Sequence, residues 1–262
     1  MKKIAIKIFT FILSASSPFM KNHIFIMRHG LAKGFKRRFG LGFKPKFSLS
    51  SEERFLKTFN LKGKIIFDVG AYIGLYSLFF SRKAGGKGAV FSFEPNPQNH
   101  EEAVFNIKVN NVQNVTIMPV GIGKEYKEMD FVIDPVYPTR GTFEESRKRN
   151  ILKTRGAQVI KVKVFGIDTL IEQKSIPEPN FIKIDVEGLE MDVLEGMEQL
   201  ADSAHPELFI ELHRAAISKK VIKWLISKDY SIYHVEKISY ISNDKHEIDK
   251  GHFFCKPLLM VP

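Results

Sequence analysis

The sequence predicts an α/β fold: a doubly wound, mostly parallel sheet with helices on both faces and a small β insertion. Three observations predict it. Short apolar runs rich in β-branched residues alternate with stretches whose apolar residues recur at helical spacing. The run K-I-I-F-D-V-G-A-Y-I-G at 64–74 carries a strand through a glycine turn into a helix. Residues 124–165 then break the rhythm with two strand-like runs around a polar loop.

In chain order, S-S-E-E-R-F-L at 50–56 reads as a capped helix, with Ser50 or Ser51 as cap and acids at its positive end. Ile65, Ile66 and Phe67 form a buried strand over 64–69. Leu75, Leu78 and Phe79 predict a helix over 74–83. The start of that helix, with unpaired N–H groups and a partial positive charge, favours an anionic ligand group. G-G-K-G at 85–88 follows a helix and lacks the G-x-x-x-x-G-K-[ST] pattern, so it is a turn and not a phosphate loop. A strand over 89–94, a helix over 98–110 and a strand over 115–120 ending at Gly121 continue the alternation. The runs E-M-D-F-V-I-D and V-I-K-V-K-V-F are the insertion, placed near the site mouth. Its Arg140, Arg147, Lys148 and Arg149 are candidates to hold an acidic acceptor, or are simply solvated. G-I-D-T-L at 166–170 starts a short helix with Asp168 near its cap. A strand over 181–186, a turn at Gly188, a helix over 190–200, a strand over 206–213 and a helix over 215–228 follow. The runs 231–237 and 252–256 close the chain. In such a sheet the ligand lies at the C-terminal ends of the strands.

The chemistry is written at those ends. Gly70 suits a backbone that turns with positive φ, and Gly74 permits a close approach. The pattern is D-x-G-x-x-x-G; Tyr72 stands where a nicotinamide-binding turn has its middle glycine. Glu94 ends the next strand, where an acid accepts hydrogen bonds from ribose hydroxyls. Asp68 suits a ligand with a positive end, an amino group or a sulfonium, and would repel a pyrophosphate. Together these features point to S-adenosylmethionine. Asp185, Glu187, Glu211 and His213 fall at later strand tips, where a hydroxyl acceptor needs a base. Histidine titrates near neutrality, which makes His213 a natural base. Glu187 is an alternative if burial raises its pKa. Each has a plainer reading: Asp185 only holds the cofactor, Glu211 only bonds amides, His213 is a satisfied surface residue. Lys183, between apolar neighbours, reads as structural.

F-I-K-I-D-V-E-G-L-E at 181–190 and M-D-V-L-E-G-M after it resemble the signature of the FkbM family of S-adenosylmethionine-dependent methyltransferases. D-V-G-A-x-x-G, F-E-P-N-P at 93–97 and F-I-E-L-H at 209–213 are similar to that family too, so the resemblance covers roughly residues 50–215. It implies a Class I, Rossmann-like sheet of seven strands with an antiparallel edge formed by 231–237 and 252–256. It implies that Asp68, Gly70, Ala71, Tyr72 and Gly74 surround the methionine moiety, that Glu94 binds ribose with Pro95 and Asn96 nearby, and that Gly121 and Ile122 lie by the adenine. V-G-I-G at 120–123 departs from the alanine-rich segment of many relatives. The acceptors typical of the family are hydroxyls of sugars, glycolipids or polyketides.

Composition bounds the rest. The chain has 262 residues and 44% hydrophobic content, enough for a sizeable core; residues 51–262 form the methyltransferase domain and 1–50 a basic appendage. The single Cys255 excludes an internal disulfide and a cysteine metal cluster, and no H-E-x-x-H or histidine cluster marks a metal site. Residues 1–20 partly resemble a signal peptide, but Lys7 interrupts the apolar stretch, which favours an amphipathic helix resting on a membrane. The basic and aromatic residues of 28–47 suit an RNA backbone or a loop with aromatic anchors on the core, and the lack of any accompanying nucleic-acid motif favours the loop; the basic charge of Lys2 to Lys46 as a whole could face a membrane surface, a nucleic acid or an anionic substrate. The net charge of +11 supports an RNA or protein methyltransferase, or a silent scaffold at a membrane, as alternatives. The expected location is cytoplasmic, at most peripheral to a membrane, and Asn114-Val115-Thr116 reads as a chance glycosylation sequon.

Overall fold

The computed structural model describes residues 23–39, 48–134, 141–186, 188–241 and 250–258. The expected helix over 1–20 lies outside them. The first element is an antiparallel hairpin of β1 (Ile24–Ile26) and β2 (Lys36–Arg38). Helix α1 (Ser51–Lys57) opens with a capping box in which Ser50 and Glu53 satisfy each other's backbone N–H. Then come β3 (Ile65–Val69), α2 (Leu75–Ala84), β4 (Ala89–Phe93), α3 (Pro97–Val109) and β5 (Val115–Met118). Asn96 caps α3 by accepting from Gln98 N–H, and Pro97 sets its first turn. The insertion contains β6 (Gly121–Ile122), β7 (Lys127–Ile133), β8 (Gly141–Thr142), α4 (Glu145–Ile151) and β9 (Gln158–Phe165). The second half runs α5 (Ile167–Glu172), β10 (Phe181–Ile184), α6 (Glu190–Glu195), α7 (Glu198–Ser203), β11 (Glu207–Leu212), α8 (Ala215–Ser227), β12 (Tyr230–His234), β13 (Ser239–Ile241) and β14 (Gly251–Pro257).

The main sheet has the order β13-β12-β14-β11-β10-β3-β4-β5. The five strands from β11 to β5 are parallel, and β14 pairs antiparallel with both β11 and β12. Strand alternation divides the core. Ile66, Phe181 and Phe209 pack with Leu56, Phe79 and Phe80 on one face. Phe67, Ile182, Ile184 and Ile210 pack with Val193, Leu194, Val221 and Leu225 on the other. The chain winds outward from β3 to β5 and then returns to β10, so the crevice opens between the C-terminal ends of β3 and β10.

The structure corrects the sequence reading in three places. Among the described residues the main sheet has eight strands where seven were expected: β13 is added at the edge by pairing with β12. It is only three residues long, too short a run for its period to show in the sequence. The strand expected over 115–120 ends at Met118, and Gly121–Ile122 pairs instead with β9 in a second sheet of order β6-β9-β7-β8. The helix expected over 190–200 is two helices broken at Gly196, where the backbone comes too close to Gly123 for a side chain: a Cβ would lie 1.9 Å from the Gly123 carbonyl oxygen.

Residues 23–39, part of the stretch read as an appendage, pack onto the main body. Met27, Leu31, Ala32 and Phe39 are buried. Arg38 bonds Glu102 and lies 4.0 Å over the Phe105 ring, and Arg82 donates to the carbonyls of Leu31 and Lys33. Among the described residues no helix is long and apolar enough to cross a membrane.

Candidate active site

A cavity of about 400 Å³ opens at the ends of β3, β4 and β10, with the insertion as its far wall. The glycine turn forms its floor. Gly70 has φ of 80°, and both Gly70 and Ala71 donate their N–H to the Phe93 carbonyl. A Cβ on Gly70 would sit 2.0 Å from the Asp185 carbonyl oxygen, so the turn and the end of β10 are in backbone contact. Gly74 also has positive φ but faces away from the cavity, against Ala103 of α3. It is tightly packed there, and its expected place around a ligand is not tested by this contact.

Asp68 lies beneath the turn. It is fully buried and does not line the cavity. Register places Lys183 and Ser92 opposite it on the two neighbouring strands. Ser77 donates to its Oδ2 at 2.7 Å, and the Lys183 ammonium lies 3.3 Å from its Oδ1. Lys183 also donates to the Gly70 carbonyl at 3.1 Å, lies 3.4 Å from Asp185 Oδ2, and sits over the Tyr76 ring. Burial alone would lower the Lys183 pKa, but Asp185 and Asp68 raise it, so the ammonium stays charged. Lys183 is therefore the hub beneath the cofactor cavity and part of its wall, more than the sequence suggested. The signal was present: a lysine inside an apolar strand requires buried carboxylates on the same face.

Glu94 reaches the cavity from the end of β4 beside Pro95. Its carboxylate accepts from Tyr72 N–H at 2.7 Å, Asn96 N–H at 2.9 Å and Asn99 Nδ2 at 3.3 Å. Burial pushes it up to about 7, and those donors only partly offset the burial. An acid so placed fits ribose hydroxyls, which would add donors to the charged form. Tyr72, with φ of 53°, Gly121 and Ile122 also line the cavity.

Asp185 lines the cavity at its mouth. Burial would raise its pKa, but Lys183 and His213 outweigh burial and hold it well below the usual carboxylate range. A carboxylate held so firmly charged is a poor base; its geometry suits binding a cationic group. His213 lies behind it, with Nε2 3.3 Å from Asp185 Oδ1 and Nδ1 3.7 Å from Glu211 Oε1. Both ring nitrogens thus face carboxylates and not the cavity. Glu187 and Arg140 lie outside the described residues. Glu190, which sequence reasoning passed over, is fully buried and accepts from Gly188 N–H, stapling the turn after β10.

The insertion supplies Phe131, Thr142, Phe143 and Arg147 to the opposite wall. Phe131 and Phe143 pack with ring centroids 4.7 Å apart. Of the basic residues singled out there, Arg147 faces the cavity, Lys148 is buried in a pair with Glu145, and Arg149 is exposed. An ion pair from Glu144 to Arg214 ties the insertion to the end of β11.

Known proteins share parts of this chain. The chain is 29% identical over 200 residues to the hexuronic acid methyltransferase AglP of Haloferax volcanii, covering 70% of this chain and 77% of that one. It is 29% identical over 145 residues to Methyltransferase 1 of Beauveria bassiana, covering 51% of this chain and 58% of the relative. The crystal structure of a methyltransferase FkbM from Methylobacillus flagellatus KT superposes with a TM-score of 0.51 at 20% identity, over 76% of this chain and 45% of that one. The family model described as the methyltransferase FkbM domain matches residues 68–232, from the acid at the end of the first core strand to the edge of the sheet. The chain belongs to the FkbM family, and is a methyltransferase that uses S-adenosylmethionine.

Proposed function

We propose that the enzyme methylates a hydroxyl of an acidic sugar. The observation that carries this reading is Arg147, which the insertion brings to the cavity wall opposite the cofactor turn. A guanidinium beside two aromatic rings suits a sugar carboxylate, since Arg pairs with it through two parallel hydrogen bonds. The similarity to a hexuronic acid methyltransferase supports the same class.

S-adenosylmethionine, when bound, supplies a sulfonium methyl open to in-line displacement. Glu94 would accept from its ribose, and the Gly70–Tyr72 turn and Asp185 would hold the methionine end. Arg147 orients the acceptor, and Phe131 and Phe143 keep water out. Holding the two reactants in line contributes several kcal/mol to lowering the barrier.

The test is an acceptor screen with purified protein, comparing a uronic acid glycoside with the matching neutral hexoside. Methyl transfer to the acidic glycoside, giving an ether stable to mild alkali, supports the reading. Arg147→Ala then raises KM for the acidic acceptor by about 10–100-fold, the loss of a charge-assisted hydrogen bond of about 1.5–3 kcal/mol. Equal use of the neutral glycoside, or an indifferent Arg147→Ala, overturns it; an alkali-labile product moves the reacting atom to the carboxylate.

A further inference from the structure

We propose that His213 and His252 are positioning residues, two imidazolium cations that aim Asp185 at the ammonium of the cofactor's amino acid. The inference rests on the reading of Asp185 given above and adds what holds that carboxylate in place. Five side chains stand in a line of alternating charge across the tips of the sheet. His213 Nε2 lies 3.3 Å from Asp185 Oδ1, and its Nδ1 lies 3.7 Å from Glu211 Oε1. His252 Nε2 lies 3.3 Å from the other Glu211 oxygen, and its Nδ1 lies 2.5 Å from Glu236 Oε1. Strand pairing sets this order. Register places Ile184 opposite Ile210, one residue before Asp185 and Glu211, and places Glu211 opposite His252 of β14. Glu236 comes from the turn between β12 and β13.

Both rings carry a full charge. A neutral imidazole has one N–H and one lone pair, so a ring with a carboxylate at each nitrogen is satisfied only as the imidazolium. His213 and His252 are both placed so. Burial alone would lower the His252 pKa, but Glu211 and Glu236 lift it to about 9. Contacts other than charge also fix this residue. Its ring stacks on Phe209 with centroids 5.7 Å apart, and its backbone N–H donates to Glu236 at 3.0 Å.

Asp185 and Glu211 are like charges on adjacent strands and would turn apart with nothing between them. His213 separates them and takes one oxygen of Asp185, while Lys183 takes the other. The carboxylate is thus held by both oxygens at the wall of the cavity that it lines. A carboxylate fixed in this way receives an ammonium without losing rotamer freedom on binding. His252 acts at one remove. It matches the charge of Glu211; once neutral, it would leave Glu211 to draw His213 away from Asp185. Glu236 and His252 lie beyond residue 232, where the match to the family model ends, so the outer end of the line comes from this chain's own closing strands.

The experiment is calorimetric titration of the full chain at pH 8 with S-adenosylhomocysteine and with 5′-methylthioadenosine, which keeps the adenosine and the thioether but has no amino acid. His213→Gln is expected to weaken the first ligand about 10-fold, the scale of a charge-assisted hydrogen bond, and His252→Gln roughly 3-fold to 10-fold, with the second ligand unchanged. Equal loss of both ligands would make the histidines structural only, and undiminished binding in either variant would equally overturn the proposal. Asp185→Asn is expected to show the same selectivity; if it does not, the reading of Asp185 fails and the proposal with it. Nitrogen-15 resonance of the labelled wild-type chain needs no variant. Two of its eight histidines are expected to keep both ring protons at pH 8, and neutral rings throughout would overturn the assignment. No acceptor is present in either measurement, so both stand apart from the acidic-sugar assay.

Discussion

Glu94 is 6% exposed, accepts three N–H groups, and is still lifted to about 7. Its acid form is favoured by the fold. Its contribution to stability is therefore complete below the ordinary value of 4.5 and is lost as pH rises through 7, a change of about 3 kcal/mol. Cofactor binding has the opposite sign, because ribose hydroxyls donate to the charged form. The affinity for S-adenosylhomocysteine is expected to strengthen about tenfold between pH 6 and pH 8 and to level off above, read by calorimetry. Glu94→Gln is expected to bind weakly with no such slope; a wild-type slope in the variant would remove Glu94 as the source. The acid at this position was legible because it ends an apolar strand twenty residues past the turn. The partner of Asp68 was not, since Lys183 is more than a hundred residues away in sequence and only the pairing of β3 with β10 sets the two side by side. An acid at a strand end looks the same from sequence whether it meets a ligand or a lysine.

At the level of elements, the alternation of strands and helices was readable because each buried strand is a short β-branched run and each helix has an apolar stripe. What escaped were breaks imposed by distant backbone. Gly196 divides α6 from α7 because the Gly123 carbonyl passes against it, and nothing local to 190–200 announces that. The turn after β3 is the converse case, where the local pattern demands glycine and the tertiary contact demands it again. Gly70→Ala places a Cβ at positive φ and within 2.0 Å of the Asp185 carbonyl. The expected cost is about 2–5 kcal/mol, from left-handed strain of roughly 1–2 and overpacking of roughly 1–3. Loss of cofactor binding should accompany it, since the end of β10 must retreat. Urea unfolding with and without S-adenosylhomocysteine measures both, and an unchanged midpoint would remove this contact as a constraint.

For the molecule as a whole, the basic first stretch has two parts. Residues 23–39 bury Met27, Leu31 and Phe39 against the main body, with Leu31 in the same cluster as Leu56 and Phe80. Each such side chain contributes about 1.5–3 kcal/mol on burial, so a protein beginning at residue 40 is expected to lose roughly 5 kcal/mol. A urea midpoint equal to that of the full chain would show the hairpin to be dispensable. Composition could not separate these residues from the segment before them, because both are basic and apolar; their antiparallel pairing and their fit against α2 and α3 are what distinguish them.

The two walls of the cavity differ in how they are encoded. The cofactor side draws on Gly70, Glu94, Lys183 and Asp185, from three strands that must keep their register together. The opposite wall, the acceptor side in the proposed reaction, is written in one continuous piece, with Phe131, Thr142, Phe143 and Arg147 all falling from β7 to the start of β9. Substrate range can therefore diverge by exchange of a single segment while the methyl-donor half descends unchanged. A lineage built on this plan is free to explore new acceptors without relearning its cofactor.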